Sequence, residues 1–451
     1  IYLAALIAAS HGPVAERPNL ILNRSLSVFS SFYRLVRLPR LLGISPLEGI
    51  ALISVLDLKS DGWLTQLAGP THIAMYKSGD QIDVLNVIQA VVSIVEWCRR
   101  NDLSPKWLTQ HVSRLVVPVV AGDPELELLS QLRVQLLPVR MTEVMLVDAS
   151  VPPDPSGVGW MKQLETVVDS EGLIIGISDR SDADYMAWVR NEVMVIVDAM
   201  KFSKPDQPWI VEAILTVVLR SRALQRALVQ ESFAVFLQLP SDLALPVIVW
   251  SGGYVYQLLS QALKAIAKPP VLTSWPKEVL REDPPEKDSE QREFLRLLVE
   301  LQRRSEVARE LKLSSAMLIS YLENSSWFGI EDMSELSLTT VFYLTLYGRA
   351  VKLAKQPAQK LLDYLNQVNQ ELGEISEDEE ALVRDAAAAL LAGFFGCGIK
   401  EVLVCAIHAN PIGEADTRAP LPLIRNLKQL ALLLRMLETR DQTGLDFDAL
   451  L

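Results

Sequence analysis

Few residues in this sequence have the types and the spacing that chemistry requires. Asp182 and Asp184 are separated by one alanine, like the acidic pair with which sugar-nucleotide enzymes hold a metal ion. The pair follows Ser181 at a predicted helix start, where carboxylates suit the positive end of the helix dipole. We therefore interpret these two aspartates as the N-terminus of a helix rather than as a metal site.

The cysteines are sparse. Cys397 and Cys405 stand eight residues apart in an apolar, helix-like stretch that His408 follows. Structural zinc sites use closely spaced cysteine pairs and four ligands, so this spacing favours thiols buried in a helix core. Together with Cys98 they make three cysteines, which argues against a disulfide framework and favours a reducing site of synthesis.

Signatures of catalytic machinery are missing from the sequence. Gly176-Ile177-Ser178 lacks the closing glycine of a nucleophile elbow, because Arg180 stands in that place. No P-loop, HExxH motif or dinucleotide GxGxxG fingerprint occurs, and Gly252-Gly253 is better interpreted as a helix end than as a phosphate cradle. We predict no catalytic, cofactor-binding or metal-binding residue, no cofactor, and a chain that is not an enzyme.

Three further groups of residues have structural interpretations. Residues 374–380 (EISEDEE) form a predicted capping box, Ser376 with Glu379, whose acids lie in the first helical turn. Trp97 and Trp107 flank a turn, where core packing is favoured over a carbohydrate platform. The histidines are the side chains with intrinsic titration near neutrality, and they are His11, His72, His111 and His408.

Composition predicts a folded chain with more than one core. At 451 residues, with 50% hydrophobic and 22% charged residues, two to four helical units are expected. A net charge of -12 with dispersed Lys and Arg argues against binding to nucleic acid. The nearly uncharged stretch 386–399 is shorter than the ~18 apolar residues of a spanning helix, and we predict no membrane insertion by this segment. The chain lacks an initiator Met and a recognisable signal peptide, and we interpret it as a fragment of a larger chain.

Apolar residues recur at helical spacing in nearly every window, which predicts an all-α fold. Residues 173–177 and 244–250 could be short strands, but they are too isolated to build a sheet. Proline-rich and glycine-rich stretches at 150–159 and 268–287 are typical of linkers. The predicted organisation is a helical lobe at 1–150, a linker at 151–160, a lobe at 161–267, a Pro-rich linker at 268–290 and a lobe at 291–451.

A short junction recurs between the predicted helices. Gly43, Asn101 and Gly398 are expected to take the left-handed conformation that ends a helix. Serine or aspartate then caps the next helix, at Ser45, Ser104, Ser314 and Asp446, and Pro46 and Pro105 occupy first helical positions. Similar links occur at 237–241, 396–400 and 443–446. Links this short predict an irregular array of antiparallel helical hairpins forming an elongated, multi-lobed shell.

This series of junctions resembles the α-helical shell of the A component (TcA) of bacterial insecticidal toxin complexes. The resembling phrases follow the order of that family, and no β-rich receptor-binding insertion, linker or channel of the family is recognisable. The phrases are residues 27–57, with LLGISPLEGIALISVLD, then 84–108, 233–250, 293–328, 336–369, 386–407 and 427–451.

The resemblance implies a pore-forming virulence protein. It implies a non-catalytic segment of a toxin-translocation subunit, in the outer shell around a homo-pentameric channel that injects a toxic enzyme into target cells. Other parts of the parent chain would bind the B–C cocoon and a host cell-surface receptor or glycan, after secretion or release from a bacterium. Opening with pH could use the histidines or the carboxylates of 374–380. The alternative is an intracellular helical-repeat scaffold for protein–protein interaction.

Overall fold

The computed structural model describes residues 26–57, 62–69, 83–113, 121–176, 182–200, 202–267, 289–330, 333, 335–370, 377–410, 422–445 and 447. Within these ranges the chain forms α-helices joined by turns and short 3-10 segments, without a strand. The extended contact found there is an isolated antiparallel bridge between Val168 and Ile174. The all-helical prediction is confirmed.

The chain divides into two compact units. Unit 1 comprises Ile1–Arg114 and Leu336–Thr345, and unit 2 comprises Leu115–Glu335 and Leu346–Leu451. These units do not coincide with the predicted lobes at 1–150, 161–267 and 291–451, whose boundaries stay a prediction. Residues 268–288 of the predicted Pro-rich linker lie outside the described residues.

The described residues of unit 1 form five helices and the first part of a later one. They are α1 (Leu26–Leu41), α2 (Pro46–Leu56), α3 (Trp63–Ala68), α4 (Val84–Arg100) and α5 (Pro105–Val112). The carboxylate of Asp83 starts α4 by accepting from the backbone N–H groups of Leu85 and Asn86, at 2.9 and 3.0 Å. Each bond satisfies an amide that has no partner inside the helix.

The core of unit 1 joins its first four helices. Its buried residues include Leu35, Ile53, Leu67, Ala68, Val84, Val87 and Val91. α1 and α2 approach very closely, because a Cβ atom on Gly49 would lie only 2.3 Å from Cγ of Pro39. Arg34 of α1 closes the C-terminus of α3 by donating to the carbonyls of Leu67 and Ala68, at 2.8 and 2.6 Å.

Among the described residues, unit 2 contains the longest helix and most of the others. Its first nine helices are α6 (Asp123–Gln135), α7 (Glu143–Asp148), α8 (Trp160–Gln163), α9 (Asp182–Ala199), α10 (Gln207–Leu237), α11 (Ser241–Trp250), α12 (Val255–Ala267), α13 (Ser289–Glu310) and α14 (Ser315–Glu323). The next helix, α15 (Leu338–Leu353), begins in unit 1 and ends in unit 2. The last four are α16 (Gln359–Val368), α17 (Glu377–Phe395), α18 (Ile399–Ala409) and α19 (Leu427–Thr443).

The centre of unit 2 is α10, which has 31 residues. Apolar residues recur along it at steps of three and four, so that α9, α11 and α6 can all pack against it. Trp160, only 2% exposed, belongs to the same core and stacks on Phe202 at 6.0 Å between ring centroids. The core therefore includes the last residue of the predicted linker 151–160.

Five junctions between consecutive helices share one backbone geometry. One residue takes a positive φ, an apolar residue or Cys397 follows, and the next residue caps the new helix. The positive-φ residues are Gly43, Asp102, Gln238, Lys312 and Gly396. At each junction the N–H of the following residue donates to the carbonyl five positions back, for example Leu103 to Cys98 at 2.9 Å. This is the Schellman motif, which satisfies carbonyls at the helix end without side chains.

We call these five junctions the corners. The predictions for Gly43, Ser45, Ser104, Ser314, Pro46 and Pro105 are confirmed. Two predicted left-handed residues were wrong: Asp102 takes that conformation instead of Asn101, and Gly396 instead of Gly398. Gly398 is the N-cap of α18 instead, with φ -75°. Gly444 also has a positive φ, and Asp446 lies outside the described residues.

At three corners, the change in direction between consecutive helices is smaller than in an antiparallel hairpin. The two helices meet at 96° between α1 and α2, at 90° between α10 and α11, and at 113° between α17 and α18. Antiparallel pairing was therefore wrong at these three corners, because a three- or four-residue turn with one left-handed residue gives a near-perpendicular crossing. No single helix among the described residues is long and apolar enough to cross a membrane, although these three bent pairs pass that length and composition test together.

Two short stretches differ from their predicted structures. Residues 244–250, a possible strand, belong to α11, where steps of three and four bury Leu243, Val247 and Trp250. Of residues 173–177, Ile174 forms the isolated bridge, and Ile177 lies outside the described residues. Residues 150–159 are without helix, as predicted, yet Val151 within them is buried in the core of unit 2.

Candidate functional site

The acidic pair of α9 lies beside two arginines. Asp182 accepts from Arg222 at 2.9 Å and from Arg226 at 3.3 Å, and both arginines belong to α10. Burial raises the pKa of Asp182, but the hydrogen bonds and charges of the arginines outweigh it and hold the pKa below its ordinary value. Two guanidinium groups at one carboxylate disfavour a cation there, so the geometry supports a link between α9 and α10.

The thiols lie in apolar surroundings. Cys405 is buried and Cys397 half-buried, and burial raises their pKa values to about 12 and about 11. Burial likewise raises the pKa of the Cys98 thiol to about 12. A neutral thiol is a poor nucleophile and a poor metal ligand. His408 is exposed on α18, and within the described residues no group of three or more His, Cys, Asp or Glu is placed to hold a metal ion.

Trp97, Trp107 and His111 pack against other residues. Trp107 stacks on the buried His111 at 4.5 Å between ring centroids, and Nδ1 of His111 lies 2.7 Å from the Trp107 carbonyl oxygen. Trp97 contacts Phe342 at 6.1 Å between ring centroids. Both tryptophans are thus partly buried in packing contacts. His11 and His72 lie outside the described residues.

The remaining glycine and acidic motifs are helix ends. Gly252 has φ +74°, and the N–H of Gly253 donates to the Ile248 carbonyl at 3.0 Å, which ends α11. The helix α17 begins at Glu377, within the predicted acidic first turn. Ser178, Ser181 and Ser376 lie outside the described residues.

The most deeply buried charge in the described part of the chain is Arg304 of α13, which is 2% exposed. Its Nε donates to Glu300 at 2.6 Å, and its Nη1 donates to the carbonyls of Trp250 and Met333. The guanidinium also lies 5.2 Å from the centroid of the Trp250 ring. Arg304 therefore closes the C-terminus of α11 and binds the Met333 carbonyl, with its charge balanced by Glu300.

A second set of polar side chains holds residues 150–176 in place. We call residues 150–176 the polar segment. Glu143 accepts from the N–H groups of Trp160 and Met161 at 3.0 and 3.1 Å, capping the short helix α8 from a distance. Gln225 of α10, 1% exposed, accepts from the N–H of Ile174 at 2.9 Å and donates to the carbonyl of Gly172 at 2.9 Å. These side chains replace the backbone bonds that a helix would have supplied.

Sequence patterns did not reveal these polar partners. Arg304, Gln225 and Glu143 bind groups between 17 and 54 positions away in the sequence. The signal available was a charged or amide residue on a helix face with apolar residues. Gln225 shares its face of α10 with the buried residues Val218, Leu228 and Val229.

Exposed apolar residues form a different class of candidate. Phe29 and Tyr33 of α1 are 62% and 63% exposed, and Leu382 of α17 is 71% exposed. Each lies on the face of its helix that points away from the buried residues. Faces of this kind are typical of surfaces that bind another protein.

The fold and the positions of the polar residues define a class: an all-helical protein whose charged groups brace helices and whose exposed features are helix faces. Sequence comparison connects this chain to a known protein. The chain is 22% identical over 440 residues to toxin subunit YenA1 of Yersinia entomophaga, a match covering 95% of this chain and 34% of that subunit. The predicted resemblance to a helical region of toxin-complex A components is thereby confirmed.

Comparison with solved structures and with protein-family models gave the following results. The solved cryo-EM structure of Morganella morganii TcdA4 aligns with a TM-score of 0.49 and 11% identity, covering 99% of this chain and 13% of that one. No protein-family model matches the chain. The chain spans about a third of the length of the Yersinia toxin subunit that it matches.

Proposed function

We propose that this chain is a non-catalytic structural segment of a toxin-translocation subunit, part of an outer helical shell around a pentameric channel that injects a toxic enzyme. The observation that carries the proposal is the sequence similarity to a toxin subunit over 95% of the chain. Its contribution is geometric, because the corners fix the directions of successive helices by backbone bonds.

The buried polar residues support a bracing role. Arg304, Gln225 and Asp182 each connect two helices or a helix and a turn. Their partners lie in other elements: the end of α11 for Arg304, residues 172–174 for Gln225, and α10 for Asp182. Bonds between elements rigidify the array. In the proposed assembly, the parent protein is secreted or released from a bacterium. Other parts of it bind the B–C components and a host receptor or glycan.

Negative-stain electron microscopy of the full-length polypeptide that carries this chain, at neutral pH, tests the proposal. We expect five-fold, bell-shaped particles with a central shaft. Monomers or elongated particles without five-fold symmetry would overturn it and favour the helical scaffold. Histidine-to-glutamine variants at His111 and His408, imaged across a pH series, then test the role of histidine in opening.

A further inference from the structure

Two exposed helix faces in this chain have matching lengths and complementary residues. On α1, Leu26, Phe29, Tyr33 and Arg40 follow one another at steps of three, four and seven. On α17, Glu379, Leu382, Ala386, Ala389 and Gly393 alternate steps of three and four. Such spacing is that of a helix seam that packs against another helix.

Both faces are open to solvent. Leu26 is 87% exposed, Phe29 62% and Tyr33 63%, while the buried residues of α1 lie on its opposite side. On α17 the exposed positions include Leu382 at 71% and Leu390 at 47%. Exposed leucines and aromatic rings aligned along one helix face are costly to leave in water.

The charges of the two helices are opposite. α1 carries three arginines and no acidic residue, so its formal charge is +3. α17 carries five acidic residues and Arg384, which gives -5 + 1 = -4. Arg37 and Arg40 lie at the end of α1, and neither has an ion-pair partner within the described part of the chain. The acids concentrate at the start of α17.

The order of residues selects one direction of pairing. The seam of α1 runs from 26 to 40 and that of α17 from 379 to 393, so each spans 14 residue steps, about 21 Å. An antiparallel arrangement sets Arg40 opposite Glu379, Tyr33 opposite Ala386, and Phe29 opposite Leu390 and beside Ala389. A parallel arrangement would set Leu26 against Glu379 and Arg40 against Gly393.

We propose that α1 of one copy of this chain packs antiparallel on α17 of a second copy. Large rings then fill the shallow surface over Ala386 and Ala389, and the basic end of α1 meets the acidic end of α17. The contact joins two different faces, so it continues from copy to copy and closes into a ring when the rotation allows. It rests on the proposed function, which requires several copies.

Cysteine cross-linking between copies tests this contact. A Tyr33→Cys variant and an Ala386→Cys variant of the full-length polypeptide are mixed, assembled and oxidised. We expect a disulfide-linked dimer in non-reducing electrophoresis, since only two different copies can supply the two cysteines. The matched control pairs Leu26→Cys with Glu379→Cys, positions that meet only in a parallel arrangement, and we expect no dimer from it.

A charge exchange supplies the second measurement. We expect Arg37→Glu with Arg40→Glu to lower the assembled fraction at least fivefold, and Glu379→Lys with Glu380→Lys in the same chain to restore it. The control, Arg220→Glu with Arg296→Glu, reverses two exposed arginines elsewhere and leaves assembly unchanged.

Electron microscopy of each sample separates the two proposals. Five-fold particles without the 33–386 cross-link and without an effect of charge reversal would overturn this contact and leave the proposed shell intact. A sample without assembled particles would overturn both. A cross-link that forms only when one chain carries both cysteines would show contact within a copy, which also contradicts the inference.

Discussion

The corner between α4 and α5 and the polar segment at 150–176 both carry the chain away from a helix, but by different means. At the corner, the N–H of Leu103 donates to the carbonyl of Cys98 and Ser104 caps the next helix, so all partners lie within five positions. In the polar segment, Glu143 and Gln225 supply the partners from 17 and 51 positions away.

The difference follows from what the backbone can do alone. One left-handed residue brings the last carbonyls of a helix within reach of the next two N–H groups, and the geometry can repeat wherever that residue is tolerated. A longer irregular stretch finds local partners for only part of its backbone, as at Asp154, and the N–H groups of Trp160 and Ile174 need partners from elsewhere. A buried amide without a partner costs about 1 to 3 kcal/mol. The polar segment therefore depends on particular distant side chains, whereas a corner depends on its own few residues.

The largest expected effect comes from removing a distant partner. Gln225→Met keeps the size of the side chain but leaves the buried Ile174 N–H without its partner. It also removes the amide's bonds to the carbonyls of Gly172 and Val139, of which Gly172 keeps a second bond from the Met141 N–H. We expect a loss of about 3 kcal/mol in the free energy of unfolding. Urea denaturation followed by circular dichroism measures it.

The matched control is Gln230→Met, five positions further along α10. Its amide donates to Ser241 at an exposed site, so water can replace the lost bond. We expect a change below about 1 kcal/mol there. Equal losses at the two positions would mean that the polar segment does not depend on Gln225.

The same contrast explains which parts of the structure the sequence could predict. Ser45, Ser104 and Ser314 were identified because a cap, its helix and its partner amide lie within four residues. The left-handed residue was misplaced at Asp102 and at Gly396, because the preference for asparagine or glycine is weaker than the register set by the Schellman bonds.

Local spacing predicted less well which residues are buried and which are exposed. Helical spacing places Phe32 on the same side of α1 as Leu35, yet Phe32 is 45% exposed and Leu35 is 1% exposed. Such spacing defines which residues share a face but not how wide the covered face is. The Arg304 brace and the Asp182 pairs required the tertiary structure, because their partners come from other helices.

An intermediate effect is expected from exchanging residues at the left-handed positions. Lys312 and Gly43 occupy equivalent places at two corners, with φ +54° and +72°. A side chain at such a φ costs roughly 1 to 2 kcal/mol, offset in part by the greater entropy of unfolded glycine. We expect Lys312→Gly to stabilise the protein by about 0.5 to 1 kcal/mol and Gly43→Ala to destabilise it by about 1 kcal/mol.

Shifts of the urea unfolding midpoint measure both changes. Arg220→Gly, in the interior of α10, is the control, and glycine there should cost about 1 kcal/mol. If Lys312→Gly destabilised the protein as much as the control, the corners would not be governed by backbone conformation.

The smallest expected effect is a pH dependence confined to the polar segment. The carboxylate of Asp154 accepts from the hydroxyl of Ser156 and from the N–H groups of Ser156 and Gly159, at 2.6, 2.8 and 2.9 Å. The hydroxyl bond, then the backbone bonds, lower the pKa of Asp154 to about 2 despite an opposing effect of burial. Corners have no equivalent carboxylate, except where Glu48 and Glu401 complete caps.

The sign of this dependence follows from linkage. Because the folded-state pKa lies below the unfolded value of about 3.9, ionised Asp154 contributes stability that is fully present above about pH 4 to 5. That contribution is lost as the pH falls through about 2. We therefore expect the stability difference between the wild-type protein and Asp154→Asn to be constant from about pH 7 to 5 and to shrink below about pH 4.

Ser156→Ala should raise the pKa of Asp154 toward its ordinary value, as measured by the titration of the Asp154 side-chain carbon resonance. A difference that persisted unchanged to about pH 2 would show that the bonds to Asp154 do not depend on its charge.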